Sequence, residues 1–185
     1  MIFEVLISTP CADGSTHLAP MGVHRLEEGW LILPFRPSTT LDNLRERGVA
    51  VMNQSDDVRV FAGCLTGRRA WPLVPATRIP GQRLAAALAH QELRVVSFQD
   101  DAIRPGFLCE TVHAECHRPF TGFNRAQAAV IEAAILASRW NRLPAEDLWQ
   151  AMSFHQVAVD KTAGPTEWEA WTWLQDFLNE RLGAP

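Results

Sequence analysis

The sequence has no tyrosine, a single lysine (Lys161) and no apolar run approaching the roughly 20 residues that a membrane helix needs. Its first residues, Met1-Ile2-Phe3-Glu4, lack the basic segment, apolar stretch and cleavage site of a secretory signal. They resemble the beginning of a strand instead. These absences predict a cytoplasmic protein without a membrane partner.

Cysteine is also scarce, and Cys11, Cys64, Cys109 and Cys116 show no CxxC spacing. A chain of 185 residues can bury a core without disulfides, so reduced thiols are expected. The net charge of -4 argues against a general nucleic-acid binder. The GxSxG, GxxxxGK, HExxH and GxGxxG motifs are all absent, so the sequence offers no standard hydrolase, P-loop, zinc-protease or dinucleotide signature.

What the chain does contain is a series of short strand patterns followed by helical ones. Alternating or continuous apolar residues predict strands, and apolar residues three or four apart predict helices. The predicted strands are Phe3–Thr9, Leu18–Leu26, Trp30–Phe35, Val49–Asn53, His90–Gln99 and Phe107–Arg118. The predicted helices are Ser38–Arg47, Val58–Leu65, a segment after Asn124, Ala145–Met152 and Glu167–Leu182, and Leu84–Leu88 is helix-prone.

This order predicts a mainly β protein with a helical C-terminal part, of the α+β class. Short antiparallel strands at close spacing favour a barrel over a doubly wound sheet. We therefore expect a barrel over residues 1–120. Residues 121–185 are predicted to form a helical subdomain that packs on the barrel or on a partner subunit.

The first candidate site is the stretch from Arg36 to Asn43, in which Ser38, Thr39 and Thr40 lie at the predicted start of a helix. A helix N-terminus offers unpaired N–H groups and the positive end of the dipole. Three hydroxyls and the Arg36 guanidinium add donors that suit a terminal phosphate. Ordinary helix capping explains the same residues, and spacing alone leaves both readings open.

The second candidate is the strand segment containing Pro20, Met21, Gly22 and Val23. Proline and glycine inside a strand weaken pairing and often mark the close approach of a ligand or another backbone. A bulge or an edge strand is the alternative reading. Next to the first candidate, the segment leaves room for a flat ring whose phosphate reaches the helix start.

The third candidate, a metal site formed by Cys109, His113, Cys116 and His117, is disfavoured by geometry. On one strand His113 and His117 share a face but stand about 13 Å apart, and Cys116 points the other way. His24, His90 and His155 show no partner in the sequence. No metal is therefore predicted.

The order of these segments resembles the flavin-reductase-like FMN-binding split barrels. Within that superfamily it is most similar to an uncharacterised family, a domain of unknown function, from archaea and methylotrophic bacteria. The resemblance is carried by Phe3-Glu4-Val5-Leu6-Ile7-Ser8-Thr9, Asp13-Gly14, Ala19-Pro20-Met21-Gly22-Val23, Pro34-Phe35-Arg36, Ser38-Thr39-Thr40-Leu41-Asp42-Asn43, Val51-Met52-Asn53, Asp56-Asp57, Phe123-Asn124-Arg125-Ala126, Ala129-Val130-Ile131-Glu132-Ala133 and Lys161-Thr162-Ala163-Gly164.

The resemblance implies a homodimer with FMN near the subunit interface. It implies that Pro20, Met21, Gly22 and Val23 run beside the isoalloxazine ring and that Asn53 lies near the ring or the ribityl chain. It further implies that Arg36, Ser38, Thr39 and Thr40, in the stretch ending at Asn43, hold the phosphate. The predicted function is that of an FMN-dependent oxidoreductase with a small-molecule redox partner. A flavin carrier or sensor, or a structural dimer that has lost its ligand, are the alternatives.

Overall fold

The computed structural model describes residues 1–183, which form two compact units. The first unit consists of residues 1–55 and 71–120, and the second consists of residues 56–70 together with the chain from Thr121 onward. Because residues 56–70 contain a helix, the second unit gathers all but one of the helices of the described chain.

The first unit is built around a closed six-stranded barrel with the strand order β1-β2-β3-β8-β7-β4, in which β4 returns to pair with β1. All its pairs are antiparallel, and a small β5–β6 hairpin accompanies it. The elements of this unit are β1 (Ile2–Pro10), β2 (Thr16–Arg25), β3 (Trp30–Ile32), α1 (Thr39–Arg47), β4 (Val49–Gln54), β5 (Leu73–Pro75), β6 (Gln82–Leu84), β7 (Ala89–Gln99) and β8 (Gly106–Cys116).

The interior of the barrel follows from the two-residue period of its strands. Val5 and Ile7 of β1 point inward with Val23 of β2 and Met52 of β4, and Leu41 of α1 joins the same cluster. The intervening residues point to the outer face, because successive side chains of a strand alternate. Leu6 and Asn53, which are paired across β1 and β4, are nevertheless fully buried on that outer face.

The tight turns of the barrel explain two glycines. Gly14 adopts a φ of 84° in the hairpin between β1 and β2, as the Asp13-Gly14 signal predicts. Gly29 lies between β2 and β3 at a φ of 146°, and a Cβ there would stand 2.3 Å from the carbonyl oxygen of Cys109. Only glycine allows this close approach of β3 to β8.

The second unit contains α2 (Val58–Leu65), α3 (Arg125–Ala137), α4 (Ala145–Thr162) and α5 (Pro165–Leu182). Its core combines small residues of α3 with Trp171 and Leu174 of α5 and with Val58 and Ala62 of α2. Asn124 caps α3 as predicted, because its side chain accepts hydrogen bonds from the amides of Ala126 and Gln127. The helical unit thus has a core of its own.

Three predicted segments were wrong in extent or type. The strand Trp30–Phe35 ends at Ile32, because Pro34 cannot donate to a ladder; Phe35 is exposed rather than buried. The helix-prone segment Leu84–Leu88 is the end of β6 and a turn, since the Leu84 amide donates to the Asn53 side chain and the Leu88 amide to the Gln54 carbonyl. Finally, α4 continues ten residues beyond Met152 to Thr162.

The predicted class is confirmed: a β barrel precedes a mainly helical C-terminal part. Among residues 1–183, no helix is long and apolar enough to cross a membrane. The packing of the helical part on the barrel or on a partner stays a prediction.

Candidate functional site

The helix predicted after Arg36 forms, and Ser38 caps it. Ser38 is extended, with a φ of -160°, and its Oγ accepts a hydrogen bond from the Leu41 amide at 3.3 Å. At the other end Gly48 takes the left-handed conformation and its amide donates to the Leu44 carbonyl. Ser38 therefore acts as an N-cap, as the capping reading predicts.

Capping leaves donors unused at this end of α1. The amides of Thr39 and Thr40 precede the first intrahelical hydrogen bond. Within residues 1–183 neither these amides nor the two threonine hydroxyls make a hydrogen bond to the chain. The two amides and the hydroxyl of the exposed Thr39 thus lie at the positive end of the helix dipole, which is the arrangement that binds an anion, whereas the Thr40 side chain is buried.

Arg36 comes just before this helix start, but its guanidinium already has a partner. Its Nη2 lies 2.5 Å from Oδ1 of Asp100, in the loop between β7 and β8. The side chains are 35% and 67% exposed, so solvent screens the pair, and such a surface ion pair is worth only about 0–1 kcal/mol. A phosphate with two negative charges can compete for the same guanidinium.

Asn43, the last residue of the predicted phosphate site, points toward the barrel. Its Nδ2 donates to Oγ1 of Thr9 at 2.9 Å and to Sγ of Cys11 at 3.4 Å. The side chain is buried, and these bonds tie α1 to the end of β1. The structure therefore gives Asn43 an internal role, and its contact with a cofactor stays a prediction.

The four candidates on β2 divide between two faces. Met21 and Val23 lie opposite Val5 and Phe3 and contact the barrel interior. Pro20 and Gly22 alternate with them and point outward. A Cβ at Gly22 would stand 3.0 Å from Oε1 of Glu4 and 3.1 Å from Cγ2 of Ile2, so the glycine lets these two side chains of β1 lie close over the β2 backbone on that face. A ring lying along β2 would meet Pro20 and Gly22 rather than Met21 and Val23.

Asn53 is the most completely bonded of the candidate residues. Its Nδ2 lies within hydrogen-bond distance of the Leu6 carbonyl, Ser8 Oγ and the Val51 carbonyl, and its Oδ1 accepts from the Leu84 amide at 2.7 Å. The residue is fully buried. Asn53 therefore joins β1, β4 and β6, and its predicted proximity to the flavin stays a prediction.

A buried pair of titratable residues on β7, Glu92 and His90, was not found from the sequence. Glu92 accepts hydrogen bonds from the amides of Thr77, Arg78 and Ile79 at 2.5, 2.7 and 2.9 Å. Nε2 of His90 lies 3.3 Å from the same carboxylate. The three amides that bind Glu92 belong to a loop about 15 residues earlier in the chain. In the sequence, the only indication of this pair was a glutamate within a predicted strand.

Burial and hydrogen bonding set the charge of this pair. Burial opposes ionisation of Glu92, but the three amides outweigh it and hold the pKa below its usual value. Burial lowers the pKa of His90 despite the neighbouring carboxylate. The pair is therefore a carboxylate beside a neutral imidazole at neutral pH.

Solved structures of low sequence identity share this fold. An FMN-bound protein, MM1853 from Methanosarcina mazei, is 18% identical with a TM-score of 0.83, covering 96% of this chain and 95% of its own. Flavoredoxin from Methanosarcina acetivorans is 15% identical with a TM-score of 0.56 over 63% of this chain and 69% of its own. The 2-nitrobenzoate 2-nitroreductase of Pseudomonas fluorescens is 20% identical, with a TM-score of 0.53 over 62% and 64%.

These likenesses define the fold as that of the FMN-binding split barrels. Two family models match the sequence: "Protein of unknown function (DUF447) N-terminal domain" over residues 3–118 and "Protein of unknown function (DUF447)" over residues 124–176. The chain belongs to the DUF447 family, and the resemblance stated from the sequence is confirmed. No curated protein matches the chain.

Proposed function

We propose that this protein binds FMN, with the phosphate at the start of α1. The observation that carries the proposal is the group of unpaired donors there, the amides and hydroxyls of Thr39 and Thr40. The fold likeness to an FMN-bound protein of the same family supports the choice of cofactor. Arg36 lies three residues before the first residue of α1. Its guanidinium would leave the carboxylate of Asp100 and bind the phosphate instead.

When bound, FMN would supply the redox chemistry, and we propose that the protein is a flavin-dependent oxidoreductase with a small-molecule redox partner. Ser38, Thr39, Thr40 and Arg36 would hold and orient the phosphate. On the outer face of β2, Gly22 contributes no side chain of its own, and the Glu4 and Ile2 side chains that lie over it would have to turn aside for the ring to approach. A flavin carrier or sensor is the second candidate, and stopped-flow reduction by NADH or NADPH separates the two. Saturable reductant binding indicates an enzyme.

The phosphate assignment is tested by comparing FMN with riboflavin, which lacks the phosphate. In Arg36→Ala the affinity for FMN should fall about tenfold or more, because a charged hydrogen bond contributes about 1.5–3 kcal/mol. The affinity for riboflavin should not change. Flavin fluorescence quenching measures both constants. Arg47→Ala, at the opposite end of α1, is the matched control and should bind both flavins as the wild type does.

Equal losses of FMN and riboflavin affinity in Arg36→Ala would place its effect elsewhere than on the phosphate. Wild-type protein that binds neither flavin would overturn the proposal as a whole. It would favour the third reading, a dimer that has lost its ligand.

We also propose that two copies of the chain associate near this site. Phe35 and Ile103, beside Arg36, are 52% and 66% exposed, and Val96 and Phe98 are exposed on the end of β7. A hydrogen bond from the Arg36 amide to the Ile103 carbonyl joins the segments that carry Phe35 and Ile103, and the loop with Ile103 follows directly on β7. Exposed apolar residues grouped in this way favour a protein interface. Light scattering should give twice the mass of one chain, and a monomer at micromolar concentration would contradict this.

A further inference from the structure

Two neighbouring strands bring together a group of potential metal ligands on the outer face of the barrel. His90 of β7 lies opposite Glu115 of β8, and Glu92 lies opposite His113. One ligand atom each from His90, His113 and Glu115 lies within 4.8 Å of the other two. From the sequence, a metal site was disfavoured because all the candidate ligands considered with His113 lie on its own strand. The structure adds His90 from the strand beside it.

His113 carries the least expected feature of this group. Its Nε2 is buried and has no hydrogen-bond partner, the only such side-chain nitrogen or oxygen found among the described residues. It lies 3.8 Å from the carboxylate oxygen Oε2 of Glu115, beyond hydrogen-bond distance. A buried polar atom without a partner requires an explanation, and an ion held between His113 and Glu115 provides one.

His90 is held as a metal-binding histidine is usually held. One ring nitrogen, Nε2, faces the Glu92 carboxylate, which three backbone amides fix in place. A carboxylate behind a histidine ligand orients the ring and increases its basicity. The other ring nitrogen of His90, Nδ1, lies 2.9 Å from Nε2 of His117, and the two ring planes differ by only 8°. An ion bound at Nδ1 would take the place of this hydrogen bond and would have the His117 imidazole beside it.

We propose that His90, His113 and Glu115 bind a divalent transition-metal ion of the Zn²⁺ type. Two imidazoles and one carboxylate favour zinc and its first-row neighbours over Mg²⁺ or Ca²⁺, which prefer oxygen. The site is reachable, because the side chains of His113 and Glu115 are 26% and 51% exposed. Three protein ligands with an open side leave a coordination position for water or a small molecule. The carboxylates of Glu92 and Glu115 offset the charge of the ion.

Calorimetric titration of the full-length, chelator-treated protein with ZnCl₂ tests the proposal without reference to the flavin. The wild type should bind one equivalent with saturation, and MgCl₂ should give no comparable binding. His113→Ala should lose this binding. The variant should keep its fold, because the deleted ring nitrogen has no hydrogen bond, and far-ultraviolet circular dichroism checks this. His155→Ala, on α4, and Cys116→Ser control for a histidine and a thiol outside the ligand set.

Glu115→Gln provides a second variant at a half-exposed position, and its zinc affinity should fall at least about tenfold. The proposal is overturned if the wild type shows no saturable zinc binding, or if His113→Ala and Glu115→Gln both bind zinc as the wild type does. Loss of binding in Cys116→Ser or His155→Ala would also overturn it, because the ion would then lie elsewhere. Flavin binding is a separate measurement, so failure here leaves the proposed function standing.

Discussion

The starts of α1 and α5 differ in whether the chain itself satisfies the donors of the helix N-terminus. At α5, the carboxylate of Glu167 turns back and accepts a hydrogen bond from the Gly164 amide at 3.0 Å, and Thr166 Oγ1 donates to it as well. The chain's own anion fills that helix start. At α1, the Ser38 side chain satisfies only the Leu41 amide, and the donors of Thr39 and Thr40 stay unpaired. An anion site requires a helix start whose donors the protein leaves open.

Within the barrel unit, Asn53 and the start of α1 show the same contrast between polar groups that have hydrogen-bond partners and polar groups that have none. Asn53 is polar and buried, and both polar atoms of its side chain are engaged by neighbouring strands. Polar groups that are paired in this way stabilise the fold, and unpaired ones are available to a ligand. Variants at paired groups should therefore change stability, and variants at open groups should change affinity.

The largest expected effect is at Asn53. Asn53→Ala should lower the free energy of unfolding by about 3 kcal/mol, because it removes several buried hydrogen bonds and leaves the Leu84 amide without a partner. Urea denaturation measures the change. Asn141→Ala, at an exposed turn position, is the control and should be near neutral. Full stability in Asn53→Ala together with lost FMN affinity would reverse our assignment and make Asn53 a cofactor residue.

A smaller and pH-dependent effect is expected at Glu167. Burial opposes its ionisation, but hydrogen bonds from Gln127, Gly164 and Thr166 lower its pKa. Because the folded pKa lies below the unfolded value of about 4.3, Glu167 stabilises the protein above that pH. This contribution is lost as the pH falls through the folded pKa.

Glu167→Gln should therefore cost about 1.5 kcal/mol of unfolding free energy at pH 7, the value of a charged hydrogen bond. The difference from the wild type should shrink below about pH 4.3. Urea denaturation at a series of pH values measures it. A difference that stays constant into acid would mean that the charge of Glu167 is not what fills the α5 start.

The smallest effect is expected at Asp100. Asp100→Asn should raise the affinity for FMN about two- to threefold, because it frees Arg36 and removes a negative charge near the phosphate, a gain in line with an exposed ion pair. Fluorescence quenching at low salt measures it, and riboflavin is the control ligand. Weaker FMN binding in Asp100→Asn would indicate that the Arg36–Asp100 pair is itself needed to form the site.

Much of the barrel could be predicted from local pattern. The alternation of Val112, Ala114 and Cys116 with His113 and Glu115 identified β8, and Ser38 with Gly48 marked the two ends of α1. Strand pairing could not be read in the same way. Residues that are distant in the sequence meet across β7 and β8, so the partners of His90 and Arg36 came only from the structure.

The place of α2 in the core of the helical unit likewise could not be predicted from the sequence. Its eight residues predicted a helix correctly, yet nothing local in Val58–Leu65 indicates that Val58 and Ala62 pack with Trp171 of α5. That contact joins segments more than one hundred residues apart. Hydrophobic periodicity specifies that a face is buried, but not against which element.

The sequence by itself determined the order of strands and helices, the capped helix after Arg36 and the family resemblance, because each depends on short-range backbone preferences. The tertiary structure decided which polar groups have partners. Asn43 and Asn53 form hydrogen bonds within the protein, and Arg36 forms an ion pair with Asp100. The donors of Thr39 and Thr40 have no partner in the described chain, and His90 lies beside His113. Hydrogen bonding and metal ligation depend on distances of a few ångströms between segments far apart in the chain, and folding alone sets those distances.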